Sequence, residues 1–257
     1  MKRVWIFSLL AVTLLAAGGV FLFAAFSVPD FGSLEKRRVI QSTKIYDRTG
    51  EIVLHDVYQD VKRTVIPFEE IPDSVTHATI AIEDADFYRH RGIQPSAIVR
   101  AFIVNLLSGE IRQGGSTITQ QLVKNTFLTF DRTWMRKIKE VVLAFKVESA
   151  YEKDEIIALY LNEIPYGANV YGVEEASRTF FGKPAKDVTL AEAAYLASLP
   201  KAPTKYSPYG SNRALLEARK NFVLSRMREL GYISPEEYEG AKNEKVVFVN
   251  RGLEGLK

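Results

Sequence analysis

The stretch RQGGSTITQQLVKN, residues 112–125, sets two glycines, three hydroxyls and two adjacent glutamines ahead of a lysine. Gly114 and Gly115 let the backbone turn sharply, and Ser116 is a good N-cap for a helix over residues 116–127. The free N–H groups at such a helix start favour an anion. On this helix Thr117, Gln121 and Lys124 fall within about 60° of one another, beside an apolar stripe holding Ile118 and Leu122. Amides and hydroxyls suit sugar hydroxyls and N-acetyl groups, while an ammonium suits phosphate. No Gly-Lys-Ser/Thr follows the glycines, so this is not a P-loop. A capped surface helix carries the same residues, and the flanking sequence has to decide.

Upstream lies EDADFYRHRG, residues 83–92, with three carboxylates and one of the chain's three histidines. Val75, Ala78 and Ile82 make an apolar stripe, and Glu83 sits about 90° from its centre, at a core boundary where partial desolvation suits a carboxylate to general-base work. The alternative is a solvated face in which Glu83, Asp84 and Asp86 pair with Arg89 and Arg91. His55 and His77 have no ligand spacing relative to His90, so no histidine metal site is expected. Downstream, DRTWMRKIKEVVLAFKVE (131–148) places Trp134, Ile138, Val141, Val142 and Phe145 on one expected core face. Lys137 and Glu140 border that face at i, i+3 spacing, which reads as a cleft lip or as an ordinary helix salt bridge. Arg132, Arg136, Lys137 and Lys139 add basic charge to this segment. In YEKDEIIALYLNEIPYG (151–167), the stripe Ile156, Ile157, Tyr160, Leu161, Ile164 reads as scaffold, as does ARKNFVLSRM (218–227).

The chain of 257 residues is 47% hydrophobic and 25% charged, which excludes wholesale disorder, and a net charge of +3 gives no global field for nucleic acid. It contains no cysteine, so disulfides and thiolate metal sites are excluded. After Met1-Lys2-Arg3, residues Val4 to Phe26 form an uncharged run long enough to cross a hydrocarbon core of roughly 30 Å. Its length favours an uncleaved signal anchor with a cytoplasmic N-terminus over a cleaved leader. TKIYDRTGEIVLHDV reads as a β-hairpin. Beyond Pro67 helices are expected over residues 72–88, 95–108, 116–127, 134–150, 153–163, 170–180, 190–198, 211–230 and 235–243.

In order, these stretches resemble the peptidoglycan glycosyltransferase family (glycosyltransferase family 51). EDADFYRHRG is similar to its first motif and GGSTITQQLVKN to its second; RKIKE, KDEIIALYLN and RKNFVLSRM are similar to its third, fourth and fifth. The resemblance implies a mainly α, lysozyme-like helical domain with a short β-hairpin region after an N-terminal transmembrane helix. It implies polymerisation of lipid II into β-1,4-linked glycan strands, with inversion and release of polyprenyl pyrophosphate. Glu83 and Glu140 match the family's catalytic carboxylates, the first taking the acceptor's 4-hydroxyl proton and the second lying near the donor phosphates. The substrate-binding set is Asp84, His90, Gly115, Ser116, Thr117, Gln121, Lys124, Asn125, Arg132, Arg136 and Lys137. Asn162 matches a mainly structural position. Two departures are Lys220, where arginine is common, and Ile93-Gln94 after Gly92.

The implied domains are residues 1–30, a cytoplasmic tip and membrane anchor; 31–66, a β-containing linker; 67–245, the glycosyltransferase domain; and 246–257, the start of a linker to a further C-terminal domain. The implied location is the cytoplasmic membrane, single-pass, with the catalytic domain outside. The implied partners are lipid II, the growing glycan strand, the bilayer and other cell-wall synthesis proteins, with no nucleic acid. Phosphoglycolipids such as moenomycin are the implied inhibitors. The one implied cofactor candidate is a divalent cation, Mg or Mn, assisting at the donor pyrophosphate, and no dedicated protein metal cage is seen in the sequence. Two rival readings remain: a lysozyme-like glycosidase, which needs no row of cations, and a non-catalytic glycan-binding protein. SLEK at Ser33 fits a Ser-x-x-Lys pattern but no Lys-Thr-Gly occurs, so these residues are not expected to react with penicillin. The hairpin resembles the linker of bifunctional class A penicillin-binding proteins, and the chain is expected to be a piece of one.

Overall fold

The computed structural model describes residues 43–46, 48, 53–57, 62–108, 114–128, 133–167 and 169–249. The expected anchor, Arg132, Phe130 and residues 250–257 lie outside the described residues. Among the described residues no helix is long and apolar enough to cross a membrane.

The expected hairpin is present: β1 (Thr43–Tyr46) pairs antiparallel with β2 (Val53–Val57), with Ile45 opposite His55. β3 (Lys62–Arg63) belongs to a second small sheet and runs parallel to β5 (Val170–Tyr171), whose other edge pairs antiparallel with β4 (Pro165–Gly167). The rest is helical, as the sequence indicates: α1 (Asp73–Glu83), α2 (Pro95–Ser108), α3 (Ile118–Phe127), α4 (Trp134–Ala150), α5 (Lys153–Glu163), α6 (Val173–Phe181), α7 (Leu190–Ser198), α8 (Arg213–Glu229) and α9 (Pro235–Asn243).

Four expected helices begin or end elsewhere, the one expected over residues 211–230 running Arg213–Glu229. The one expected over residues 72–88 stops at Glu83, because Asp84 leaves helical geometry (φ −160°, ψ 76°) and residues 85–89 form turns. The one expected over 116–127 starts at Ile118, because the cap is Thr117 and not Ser116: Thr117 Oγ1 accepts the Gln120 N–H, and the Gln120 side chain accepts the Thr117 N–H. The one expected over 170–180 opens as strand β5. Gly172 then takes φ +79°, and a Cβ there would lie 2.7 Å from the Asn162 carbonyl oxygen, so only glycine lets α6 begin at Val173.

The larger core packs Ile80 and Phe87 against Ile118 and Leu122 of α3, the Ile156, Ile157, Tyr160, Leu161, Ile164 stripe, and Val173, Phe180 and Leu196. A second cluster is built from small residues: Ala78 and Ala81 of α1 meet Ala191, Ala194 and Ala197 of α7, with Val223, Leu224 and Met227 of α8. The alanine side chains let the α1 and α7 backbones approach closely, with the larger side chains of α8 packed against them.

The expected core face of α4 is corrected. Trp134 is 88% exposed, and Ile138 and Phe145 are exposed too; Glu140, Leu143, Ala144, Lys146 and Val147 point inward. Periodicity finds an apolar stripe but does not say which way it faces. On α2, likewise, Leu106 and Leu107 are exposed at 69% and 82%.

Candidate active site

Because α1 ends at Glu83, its carboxylate emerges half-buried at the edge of the core. One turn into α3, Gln121 Nε2 donates to Glu83 Oε2 at 2.8 Å. The other end of that amide, Oε1, accepts from the Tyr160 hydroxyl at 3.3 Å. Tyr160 is fully buried on α5, and burial, followed by the nearby Glu83 charge, pushes its phenol well above the ordinary range. It therefore stays protonated and holds Gln121 with its NH2 toward Glu83. In the sequence Tyr160 reads as scaffold; its position beside an amide across two helices is not a local signal.

The remaining first-motif residues brace this corner. Asp84 is buried, and its Oδ2 accepts from His90 Nε2 at 2.9 Å and from the Ile118 N–H at 3.0 Å. A carboxylate only accepts, so His90 Nε2 carries the proton. Thr117 is also buried and donates to the Gly92 carbonyl at 2.6 Å. Two N–H groups at the start of α3 are thus taken internally, by Asp84 and Thr117. The expected cradle of free N–H groups at this helix start is thus partly filled by the chain's own side chains. Gly115 owes its place to packing: a Cβ would come within 3.0 Å of Ile98 Cα on α2, whereas one at Gly114 would meet nothing.

Glu140 of α4 is buried and pairs with Lys137, one turn back on the same helix, and Lys137 Nζ also donates to Ser116 Oγ at 3.0 Å. This bond ties α4 to the residue before the α3 cap. Lys124 is half-buried, and burial lowers its ammonium below the usual lysine range; Glu140 and Glu83 oppose that shift, while Lys137 and Arg136 add to it. Arg136 has a buried Nε with no hydrogen-bond partner. Asn125 is exposed at the far end of α3. Lys124 thus has both Glu83 and Glu140 among its charged neighbours, together with Lys137 and Arg136.

Lys201, beyond α7, and Arg219, on α8, also lie within electrostatic reach of Glu83. Neither figured among the expected site residues, because only the packing of α7 and α8 on α1 brings them there. Asn162 serves the scaffold: it accepts the Ile66 N–H at 3.0 Å and donates to the Ile66 and Ala158 carbonyls at 2.9 and 3.0 Å. Lys220 is fully buried, bonded to the Lys242 carbonyl and paired with Glu217. Among the described residues no three His, Cys, Asp or Glu side chains converge as metal ligands. Glu140 is already engaged by Lys137.

The sequence model of the family described as Transglycosylase matches residues 50–228. Penicillin-binding protein 1A of Aquifex aeolicus (strain VF5) is 49% identical over 227 residues, covering 88% of this chain and 31% of that protein. Penicillin-binding protein 1A of Escherichia coli (strain K12) is 43% identical over 252 residues, covering 96% of this chain and 29% of that protein. The crystal structure of Penicillin-Binding Protein 1A from Haemophilus influenzae matches at 27% identity and a TM-score of 0.47, covering 82% of this chain and 22% of that one. The chain spans about a third of the length of the curated relatives it matches.

Proposed function

We propose that this chain, which belongs to the transglycosylase family, is a peptidoglycan glycosyltransferase that polymerises lipid II. The observation that carries this reading is the half-buried Glu83, oriented by Gln121 and within electrostatic reach of Lys124, which also neighbours Arg136 and the Lys137–Glu140 pair. A hydrolase acting on a neutral glycosidic bond has no use for those cations. A leaving diphosphate does.

The reaction is a single displacement at the donor's anomeric carbon. The acceptor's 4-hydroxyl oxygen attacks, Glu83 takes its proton, and the bond from the anomeric carbon to the diphosphate oxygen breaks with its electron pair. Attack from the face opposite the leaving group turns an α-linked diphosphate into a β-1,4 bond. Lys124, Lys137 and Arg136 stabilise the charge that grows on the departing diphosphate, in a partly desolvated setting where such charges count for more than in water. Glu140 holds Lys137 toward Ser116 and so fixes the cation in place. Gln121 holds Glu83 by its Oε2, which leaves Oε1 to face the acceptor.

A substrate with a polyprenyl tail stays in the bilayer, so the enzyme works at the outer face of the cytoplasmic membrane, held there by residues 4–26. Exposed Leu106, Leu107, Trp134 and Met135 support contact with that surface. Incubation of the purified chain with lipid II tests the reading. Polymer on a gel is expected; shortened glycan or unchanged lipid II would overturn it.

A further inference from the structure

At the start of α3, four consecutive residues are tied to four different partners. Ser116 accepts from Lys137 Nζ of α4 at 3.0 Å, and Thr117 donates to the Gly92 carbonyl at 2.6 Å. The Ile118 N–H bonds to Asp84 at 3.0 Å, and Thr119 Oγ1 donates to Glu148 Oε1 near the end of α4. Thr119 and Glu148 have no part in the reaction described above.

Both side chains lie inside the fold: Thr119 is fully buried and the Glu148 side chain is 4% exposed. Glu148 also pairs with Lys153 of α5, its Oε1 accepting at 2.8 Å and its Oε2 lying at 2.7 Å. Lys153 Nζ in turn sits 4.4 Å from the centre of the Phe87 ring. A buried carboxylate needs a charged partner, and Lys153 supplies it. The charge balance does not require the Thr119 bond, which directs one carboxylate oxygen at α3. The turn carrying Gly92 rests on α4 at the same level. A Cβ at Gly92 would come within 2.9 Å of the Ala144 carbonyl oxygen and 3.2 Å of Glu148 Cγ.

Lys137 and Glu148 stand about three turns, roughly 16 Å, apart along α4. A helix held at one point can pivot, whereas one held at two separated points has its crossing angle fixed. α3 carries Lys124 and Gln121, which orients Glu83, and α4 carries Arg136, Lys137 and Glu140. Their relative angle thus sets how far the base stands from the cations that serve the leaving diphosphate. We propose that Thr119 and Glu148 are positioning residues of the reaction, their bond fixing the angle at which α3 crosses α4. This rests on the glycosyltransferase reading given above.

The test follows lipid II polymerisation by the full chain in detergent. Thr119→Val keeps the side-chain shape and the Glu148–Lys153 pair while deleting the hydroxyl. It should lower kcat at least about tenfold, because misplacing a reacting group by about 1 Å costs up to roughly 10²-fold. Affinity for a phosphoglycolipid donor mimic should change by less than about threefold, since flexible ammonium stems follow a bound anion. Thr119→Ser restores the hydroxyl and should restore kcat. Glu148→Asp withdraws the carboxylate by one methylene while keeping its charge for Lys153, and should reproduce the fall. An unchanged kcat in either Thr119→Val or Glu148→Asp assigns the contact to the scaffold and overturns the inference, whatever happens to the unfolding temperature. An equal fall in Thr119→Ser also overturns it, by assigning the effect to packing. An unaltered chain that makes no polymer overturns the glycosyltransferase reading first, before any variant is compared.

Discussion

Gln121 and Glu83 come from different helices and meet through a 2.8 Å hydrogen bond that joins the first turn of α3 to the last residue of α1. An amide so placed holds the carboxylate without neutralising it. Glu83→Gln keeps the shape but cannot accept a proton, so polymerisation should fall by about 10²–10⁴-fold. Donor-mimic binding should persist, because the cations on α3 and α4 are untouched. Polymerisation at near the original rate would remove Glu83 from the role of base.

Tyr160 steers that amide from behind, through its hydroxyl on Gln121 Oε1. Tyr160→Phe fills the same core volume and deletes one hydrogen bond, worth about 0.5–1.5 kcal/mol. The expected result is a roughly two- to tenfold lower kcat with acceptor and donor KM little changed. If kcat is unaltered while thermal stability drops, Tyr160 acts as scaffold alone.

How much of this was legible in the sequence depends on range. The hairpin, the α5 stripe and the shared face of Gln121 and Lys124 all follow from local period and turn chemistry. The choice of Thr117 over Ser116 as cap does not, since two adjacent hydroxyls look alike until the Gly92 carbonyl and Lys137 claim one each. The α4 face is not legible because Trp134, Ile138 and Phe145 repeat like core residues yet face out. The packing of α8, through Val223, Leu224 and Met227, onto the alanines of α1 and α7 joins three separate stretches, which no single motif encodes.

Lys124 provides a prediction in pH. Burial lowers its pKa from the ordinary 10.5, so its charge is lost earlier than an exposed lysine's as pH rises. If that charge holds the donor diphosphate, affinity for a phosphoglycolipid mimic should be full at neutral pH and fall on the alkaline side below 10.5. Lys124→Arg keeps its charge throughout and should move that decline upward, while Lys124→Ala and Lys137→Ala should weaken binding at neutral pH. An alkaline decline identical in Lys124→Arg would assign it to another group.

Asn162 makes two hydrogen bonds that clamp the strand-to-helix segment at Ile66 onto α5 and a third to the Ala158 carbonyl of its own helix. Asn162→Ala leaves the Ile66 N–H and carbonyl buried and unpaired, at a cost of about 2–3 kcal/mol. Denaturant unfolding should show that loss, with activity per folded molecule close to the original. A loss under about 0.5 kcal/mol would mean water or a shifted backbone replaces the clamp.

The exposed apolar side chains on α2 and α4 allow a separate test of membrane contact. Leu106, Leu107 and Trp134 are 69%, 82% and 88% exposed, whereas Phe127 and Leu128 pack against the core. Serine at Phe127 or Leu128 would therefore unsettle the fold and say little about lipid. Serine at Leu106, Leu107 and Trp134 removes apolar area that the core does not use. Burial of a leucine side chain in hydrocarbon is worth about 1.5–3 kcal/mol, so the triple variant should bind liposomes at least about tenfold more weakly. The comparison needs a chain shortened by residues 1–30, since the apolar run at 4–26 would otherwise dominate binding. Equal liposome binding by the shortened chain and its triple serine variant would show that these side chains do not enter the bilayer.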